Sequence, residues 1–154
     1  KRIPTALFLL MLGSKEKYQK EYDYLMQLIK ILNISNKVKI IPSAPYSQLG
    51  DYIAATDCVV IPSIAEGFGY TTAEACAMGK PVVASNTTSL PEVISGNYLL
   101  VPPKDPLCIA KAIQSIKKGD FTKKPLKRFE WDIAIVDYIN LYQELILKNK
   151  EKKI

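Results

Sequence analysis

Glu66 and Glu74 bracket the segment Gly67-Phe68-Gly69-Tyr70-Thr71, and no other stretch of the chain combines residues so suited to one chemistry. Glycines on both sides of Phe68 let a backbone come close to a ligand, and the spacing predicts a helix beginning just after them. The first turn of a helix aims unpaired N–H groups and a partial positive charge at one spot, which suits a phosphate. A carboxylate is the natural acceptor for a pair of sugar hydroxyls. Phosphate and sugar together point to a nucleotide sugar. Thr71-x-x-Glu74 also has the form of a capping box, which would satisfy N-terminal donors with no ligand at all, and spacing alone does not separate the two roles. For Glu66, in a loop, the plain alternative is solvent exposure. The side chains of Phe68 and Tyr70 read as anchors of the loop in the core, leaving their backbone as the functional part.

The elements that must carry this loop alternate. Thr5 to Leu12 is an apolar run suited to a strand buried on both faces. Tyr18, Tyr22, Leu25, Met26, Ile29 and Leu32 recur at helical steps, with Asn33 as a stop. Val38 to Ile41 makes a short strand, Pro45 to Ala55 a helix, and Asp57 to Pro62 a β-branched strand. After the loop from Ser63 comes a helix from Thr71 or Thr72 to Met78, stopped by Gly79, and then a strand from Pro81 to Ser85. Ser89 reads as the cap of a short helix with Pro91 at its first position and Glu92 as the capping glutamate. Tyr98 to Val101 is the last strand expected. Asp105 to Lys118 and Phe129 to Lys148 are amphipathic helices, joined by a polar stretch without evident structure. Strand and helix units repeated in this way imply an α/β fold, a parallel sheet with helices on both faces. Ligands bind such sheets at the C-terminal edge of the strands, where the Glu66 loop falls. The loop lacks the G-x-G-x-x-G spacing of a nicotinamide dinucleotide site.

Composition narrows the remaining chemistry. The 154 residues are 48% apolar and 23% charged, the range of one ordinary globular domain. With no histidine in the chain, the usual general base and the commonest metal ligand are absent, so chemistry must rest on carboxylates, lysines and backbone dipoles. Cys58, Cys76 and Cys108 lack zinc or redox spacing and read as reduced core residues. No membrane span or signal peptide is evident, which suits a cytoplasmic protein. The net charge of +6 concentrates in Lys117 to Arg128 and Lys148 to Lys153. It is read first as a solvated basic face and second as peripheral attraction to an anionic membrane. Nucleic acid is disfavoured, because no aromatics interleave with the lysines. Lys80 reads as a solvated charge within reach of a phosphate, and Trp131 as a packing residue.

The motif and its surroundings resemble the C-terminal, donor-binding domain of glycosyltransferase family 4, retaining enzymes of the GT-B fold. Glu66 and Glu74 match the family's E-x7-E, and Asp57-Cys58-Val59-Val60-Ile61-Pro62-Ser63 its preceding strand. Glu74 to Ser85 match the helix, glycine and strand that follow. Ser89-Leu90-Pro91-Glu92-Val93-Ile94, Leu100-Val101-Pro102-Pro103 and Phe129-Glu130-Trp131 keep the family's order. The resemblance runs from about Thr5 into the closing helix, about 129–148. It implies a single domain over 1–154, Rossmann-like, forming an incomplete C-terminal half of a GT-B fold.

By this resemblance Glu66 is the catalytic-site residue that holds hydroxyls of the donor sugar. The backbone of Gly67, Phe68, Gly69, Tyr70 and Thr71 approaches sugar and diphosphate, Glu74 accepts the ribose hydroxyls, and Ser43 lies at the nucleobase. No metal and no cofactor are implied, only a substrate of the UDP- or GDP-sugar type. The family also places a strand and helix carrying an arginine and a lysine before the segment matching Thr5 to Leu12, and a whole N-terminal domain before that. Neither is matched here, and the link from Glu92 to Leu100 is shorter than usual. The expectation is the donor-binding part of a retaining hexosyltransferase. It would be inactive alone and completed by an N-terminal GT-B domain in cis or trans, with a glycan, lipid or small molecule as acceptor. The alternatives are a non-catalytic nucleotide-sugar-binding or scaffolding module beside a separate catalytic subunit, and an unrelated phosphate-binding α/β domain.

Overall fold

The computed structural model describes residues 6–11, 17–41 and 43–151. The alternation expected from the sequence is present: β1 (Phe8–Met11), α1 (Gln19–Ile31), β2 (Val38–Ile41), α2 (Tyr46–Ala54), β3 (Val59–Ile61), α3 (Tyr70–Ala77), β4 (Val82–Ser85), α4 (Leu90–Val93), β5 (Gly96–Val101), α5 (Pro106–Lys117), β6 (Thr122–Lys124) and α6 (Trp131–Glu151). Helix stops fall where the sequence puts them. Asn33 follows α1 with φ 51° and Gly79 follows α3 with φ 71°, both left-handed conformations that end a helix. Asp105 caps α5, its Oδ1 accepting from the backbone N–H of Leu107 at 3.0 Å and of Cys108 at 2.9 Å.

The strands form two sheets rather than the one expected. β1 pairs in parallel with β2, while β3, β4 and β5 form a parallel run continued by an antiparallel β6. The N-terminal apolar run therefore does not become a strand buried on both faces. Paired on one edge only among the described residues, β1 leaves Phe8 39% and Met11 37% exposed. Thr5 and Leu12, the bounds expected for this strand, lie outside the described residues. β6 falls in the stretch read as structureless. Thr122-Lys123-Lys124 is exposed throughout and carries no apolar alternation that would announce a strand.

The core is built around β4, whose four residues are all buried. Side chains alternate across a strand. Val82 and Ala84 join Ile53 of α2, Ala75 and Cys76 of α3, Leu90 and Ile94 on one face. Val83 joins Val101, Ala112 and Ile116 on the other, under α5. Helices thus cover both faces of the larger sheet, in layers suited to a parallel sheet. α6 lies outside this core: every described side chain along it is exposed except Ala134, which is half-buried. Trp131, expected to pack, is 82% exposed.

Candidate functional site

The loop 62–69 connects the C-terminal end of β3 to α3, beside the turn 86–89 that leaves β4 in the same direction. Consecutive hydroxyls in that turn hold the loop. Thr87 Oγ1 donates to the carbonyl of Ile64 at 3.0 Å, and the backbone N–H of Glu66 donates to Thr88 Oγ1 at 3.0 Å. Ser89 Oγ lies 3.2 Å from the carbonyl of Glu66 and 3.0 Å from that of Phe68. The sequence pattern predicts Ser89 as a helix cap. It stands at the N-cap of α4, but its hydroxyl is directed to the loop and makes no capping bond. Sequence reasoning missed the Thr87-Thr88-Ser89 tether, because a Ser/Thr cluster before a helix reads first as a turn and a cap.

Glu66 is half-buried, and Ser63 Oγ donates to its Oε1 at 2.7 Å. The carboxylate is therefore oriented rather than merely solvated, which replaces the plain reading of exposure. Phe68 packs with Phe129 at 5.1 Å and with Tyr70 at 4.9 Å between ring centroids. It is half-buried and packs on these exposed rings rather than in the core, where it was expected to anchor the loop. Tyr70 does not reach the core and is 73% exposed, since the helix starts at Tyr70 itself and turns that side chain outward.

Gly69 is the N-cap of α3, with φ 93° and ψ 50°. A glycine there leaves the first-turn N–H groups of the helix without a capping side chain. A Cβ on Gly69 would lie 2.8 Å from Leu90 Cδ2, so the buried Leu90 supports the backbone from below. A Cβ on Gly67 would meet nothing within 4 Å. With the cap at Gly69, Thr71 falls inside the helix and the Thr71-x-x-Glu74 capping box does not form. Glu74 instead accepts at Oε1 from the Tyr46 hydroxyl at 2.8 Å. That bond and the negative charge of Glu74 raise the Tyr46 pKa above its usual 10.0.

Ser43 is exposed in the connection between β2 and α2, and no hydrogen bond joins it to the motif among the described residues. Lys80 is not a free solvated charge. Its Nζ donates to the carbonyls of Ala54 at 2.6 Å and Thr56 at 2.8 Å, where orphan carbonyls close α2. All three cysteines are free thiols; Cys76 is buried, Cys58 and Cys108 half-buried. Burial pushes the Cys58 thiol up to about 11, so it remains protonated and unreactive near neutral pH.

Residues 3–130 match the family model of the glycosyl transferases group 1. The chain belongs to that family. This group 1 glycosyltransferase sequence is 32% identical over 143 residues to a D-inositol 3-phosphate glycosyltransferase of Corynebacterium jeikeium, covering 86% of the chain and 34% of that protein. It is 35% identical over 133 residues to the O-antigen chain mannosyltransferase B of Escherichia coli, covering 81% of the chain and 35% of that protein. Sucrose-phosphate synthase from Thermosynechococcus elongatus superposes with TM-score 0.76 at 29% identity, over 96% of the chain and 40% of that enzyme. Anabaena HepE in complex with UDP and glucose superposes with TM-score 0.65 at 30% identity, over 75% of the chain and 32% of that protein. The chain spans about a third of the length of the curated relatives it matches. Its fold is the Rossmann-like α/β architecture of part of a GT-B glycosyltransferase. Among the described residues no helix is long and apolar enough to cross a membrane.

Proposed function

We propose that this group 1 glycosyltransferase chain is the donor-binding part of a retaining enzyme. It would transfer a hexose from a UDP- or GDP-type sugar to a glycan, lipid or small acceptor. The observation that carries this reading is the loop between Glu66 and Glu74: a glycine-capped helix start flanked by two carboxylates, at the C-terminal edge of parallel strands. The N–H groups of Tyr70 and Thr71 suit the diphosphate, Glu66 the sugar hydroxyls and Glu74 the ribose. Ser43 is assigned to the nucleobase side, on the resemblance alone. That HepE is a UDP and glucose complex and the E. coli relative a mannosyltransferase supports the hexose assignment.

In the proposed reaction the acceptor hydroxyl attacks the anomeric carbon on the face from which the diphosphate departs. The bond from that carbon to the phosphate oxygen breaks as the new glycosidic bond forms. The hydroxyl proton passes to the departing diphosphate, so no histidine is needed. The helix start stabilises the charge that grows on the leaving group, in proportion to how dry the closed site is. The proposal needs neither metal nor cofactor. It assigns the acceptor site to an N-terminal GT-B domain and the remaining diphosphate cations to the strand-helix unit that the family places before the segment matching Thr5 to Leu12. The described ion pairs, Arg128–Glu130 and Lys148–Glu144, involve neither motif carboxylate, and Lys80 is engaged by α2.

Calorimetric titration of the chain with UDP, GDP, ADP and their glucose and mannose conjugates tests the donor site. Saturable binding to one nucleotide, weakened by Glu74→Ala, is the expected result. Equal affinities for wild type and Glu74→Ala would remove the ribose assignment, and unchanged affinity of Glu66→Ala for the sugar conjugates would remove the assignment of Glu66 to the sugar hydroxyls.

A further inference from the structure

Tyr46, Leu49 and Ile53 lie at three- and four-residue steps along α2 and therefore on one stripe. Leu49 and Ile53 pack into the core that holds Ala75 and Cys76 of α3. The stripe thus faces α3, and Tyr46 extends it beyond the core to the solvent edge, where it meets Glu74. The opposite end of α2 is fixed by Lys80, through the carbonyls of Ala54 and Thr56. α2 is in this way tied at its start to Glu74 of α3 and at its end to Lys80, which lies beyond α3, and one of the ties is a motif carboxylate.

Tyr46 is 79% exposed, so water was available to its hydroxyl, yet the hydroxyl is committed to Glu74 Oε1. Among the described residues no other hydrogen bond or ion pair engages that carboxylate. A carboxylate offers about four lone-pair positions. One is taken by Tyr46, which fixes the rotation of the carboxylate plane and leaves Oε2 and the second lone pair of Oε1 for two further donors. Two donors at that spacing are what a vicinal cis-diol supplies.

We propose that Tyr46 is a positioning residue for the ribose of the nucleotide: by holding Glu74 Oε1 it presents the rest of the carboxylate to the 2′,3′-diol. The inference rests on the donor-site reading above. It assigns Tyr46 a part in selecting ribonucleotides over deoxyribonucleotides, a part no sequence motif marks.

The test is titration of the wild-type chain, Tyr46→Phe and Glu74→Ala with UDP, GDP and ADP, with their 2′-deoxy counterparts and with inorganic pyrophosphate. Tyr46→Phe keeps the ring and removes only the hydroxyl. It is expected to weaken the preferred ribonucleotide about five- to tenfold, the order of one solvent-exposed hydrogen bond. Affinity for pyrophosphate should stay unchanged, and the 2′-deoxy ligand, which keeps one hydroxyl, should weaken less than the ribonucleotide, so that the ribo-to-deoxy ratio falls. A ratio unchanged in Tyr46→Phe, while Glu74→Ala still weakens binding, overturns the role of Tyr46 and leaves the donor site standing. Equal weakening of ribo and deoxy ligands also overturns it, since Tyr46 then acts only through the fold. If wild type binds no nucleotide, or Glu74→Ala changes nothing, the donor-site reading fails and this inference fails with it.

Discussion

At the scale of single residues, the two glycines of the loop do different work. Gly69 is required by the fold: its left-handed φ of 93° alone disfavours an L side chain by about 1–2 kcal/mol. The close Leu90 contact adds to that. Gly69→Ala should therefore lower the urea midpoint clearly, whether or not ligand is present. Gly67→Ala meets no atom within 4 Å and should change stability by less than about 0.5 kcal/mol while weakening nucleotide-sugar binding. Chemical denaturation and titration of the same pair of variants check both statements. The converse case is Thr72, fully buried behind the loop with no hydrogen-bond partner for its Oγ1 among the described residues. Thr72→Val keeps the shape and removes an unpaired hydroxyl, so denaturation should show no loss of stability. The carboxylates themselves were legible in the sequence because spacing places them. Their partners Ser63 and Tyr46 were not, since a serine and an exposed tyrosine have no pattern until the chain folds back on itself.

At the scale of elements, the sequence announced those whose apolar residues follow one period. α1, α2 and α5 stand within a residue or so of their expected bounds, and β2 and β4 likewise. Elements held by long-range contacts were hidden. β6 is a polar segment whose strand character comes from pairing with Gly96 to Tyr98, and the cap of α3 shifted to Gly69 because Leu90 supports it there. The capped end of α5 carries a pH prediction. Hydrogen bonds from Cys108 chiefly hold the Asp105 pKa below its ordinary 3.8. A carboxylate depressed in the folded state contributes its full stabilisation above the unfolded value and loses it as pH falls through the folded one. Between about pH 6 and about pH 3 the wild type should thus lose stability that Asp105→Asn does not, since asparagine caps without titrating. Urea midpoints of the two proteins at both pH values decide this.

Across the whole molecule, burial is uneven. Ala75, Val82, Val83, Ala84 and Leu90 are fully buried in and around the larger sheet, whereas among the described residues the unit of β1, α1 and β2 contributes only Ile29 and Ile41 to the buried set. Removing a keystone of the first region is costly: Leu90→Ala should cost about 3 kcal/mol and loosen the Glu66 loop with it. A two-stranded sheet with little apolar cover is marginal by itself. Amide hydrogen exchange should accordingly find Phe8 to Met11 and Val38 to Ile41 opening well before Val82 to Ser85. Equal protection in both regions would refute that ordering. Splitting of the sheet has one more consequence. Among the described residues, β1 and β3 each carry hydrogen-bond partners along one side only. Each leaves a ladder of peptide groups for water, or for another chain, to satisfy. In dilute solution water fills that role, and at high concentration a second molecule competes for it. The melting temperature of the isolated chain should then climb with its own concentration, as mass action requires when association stabilises the native state.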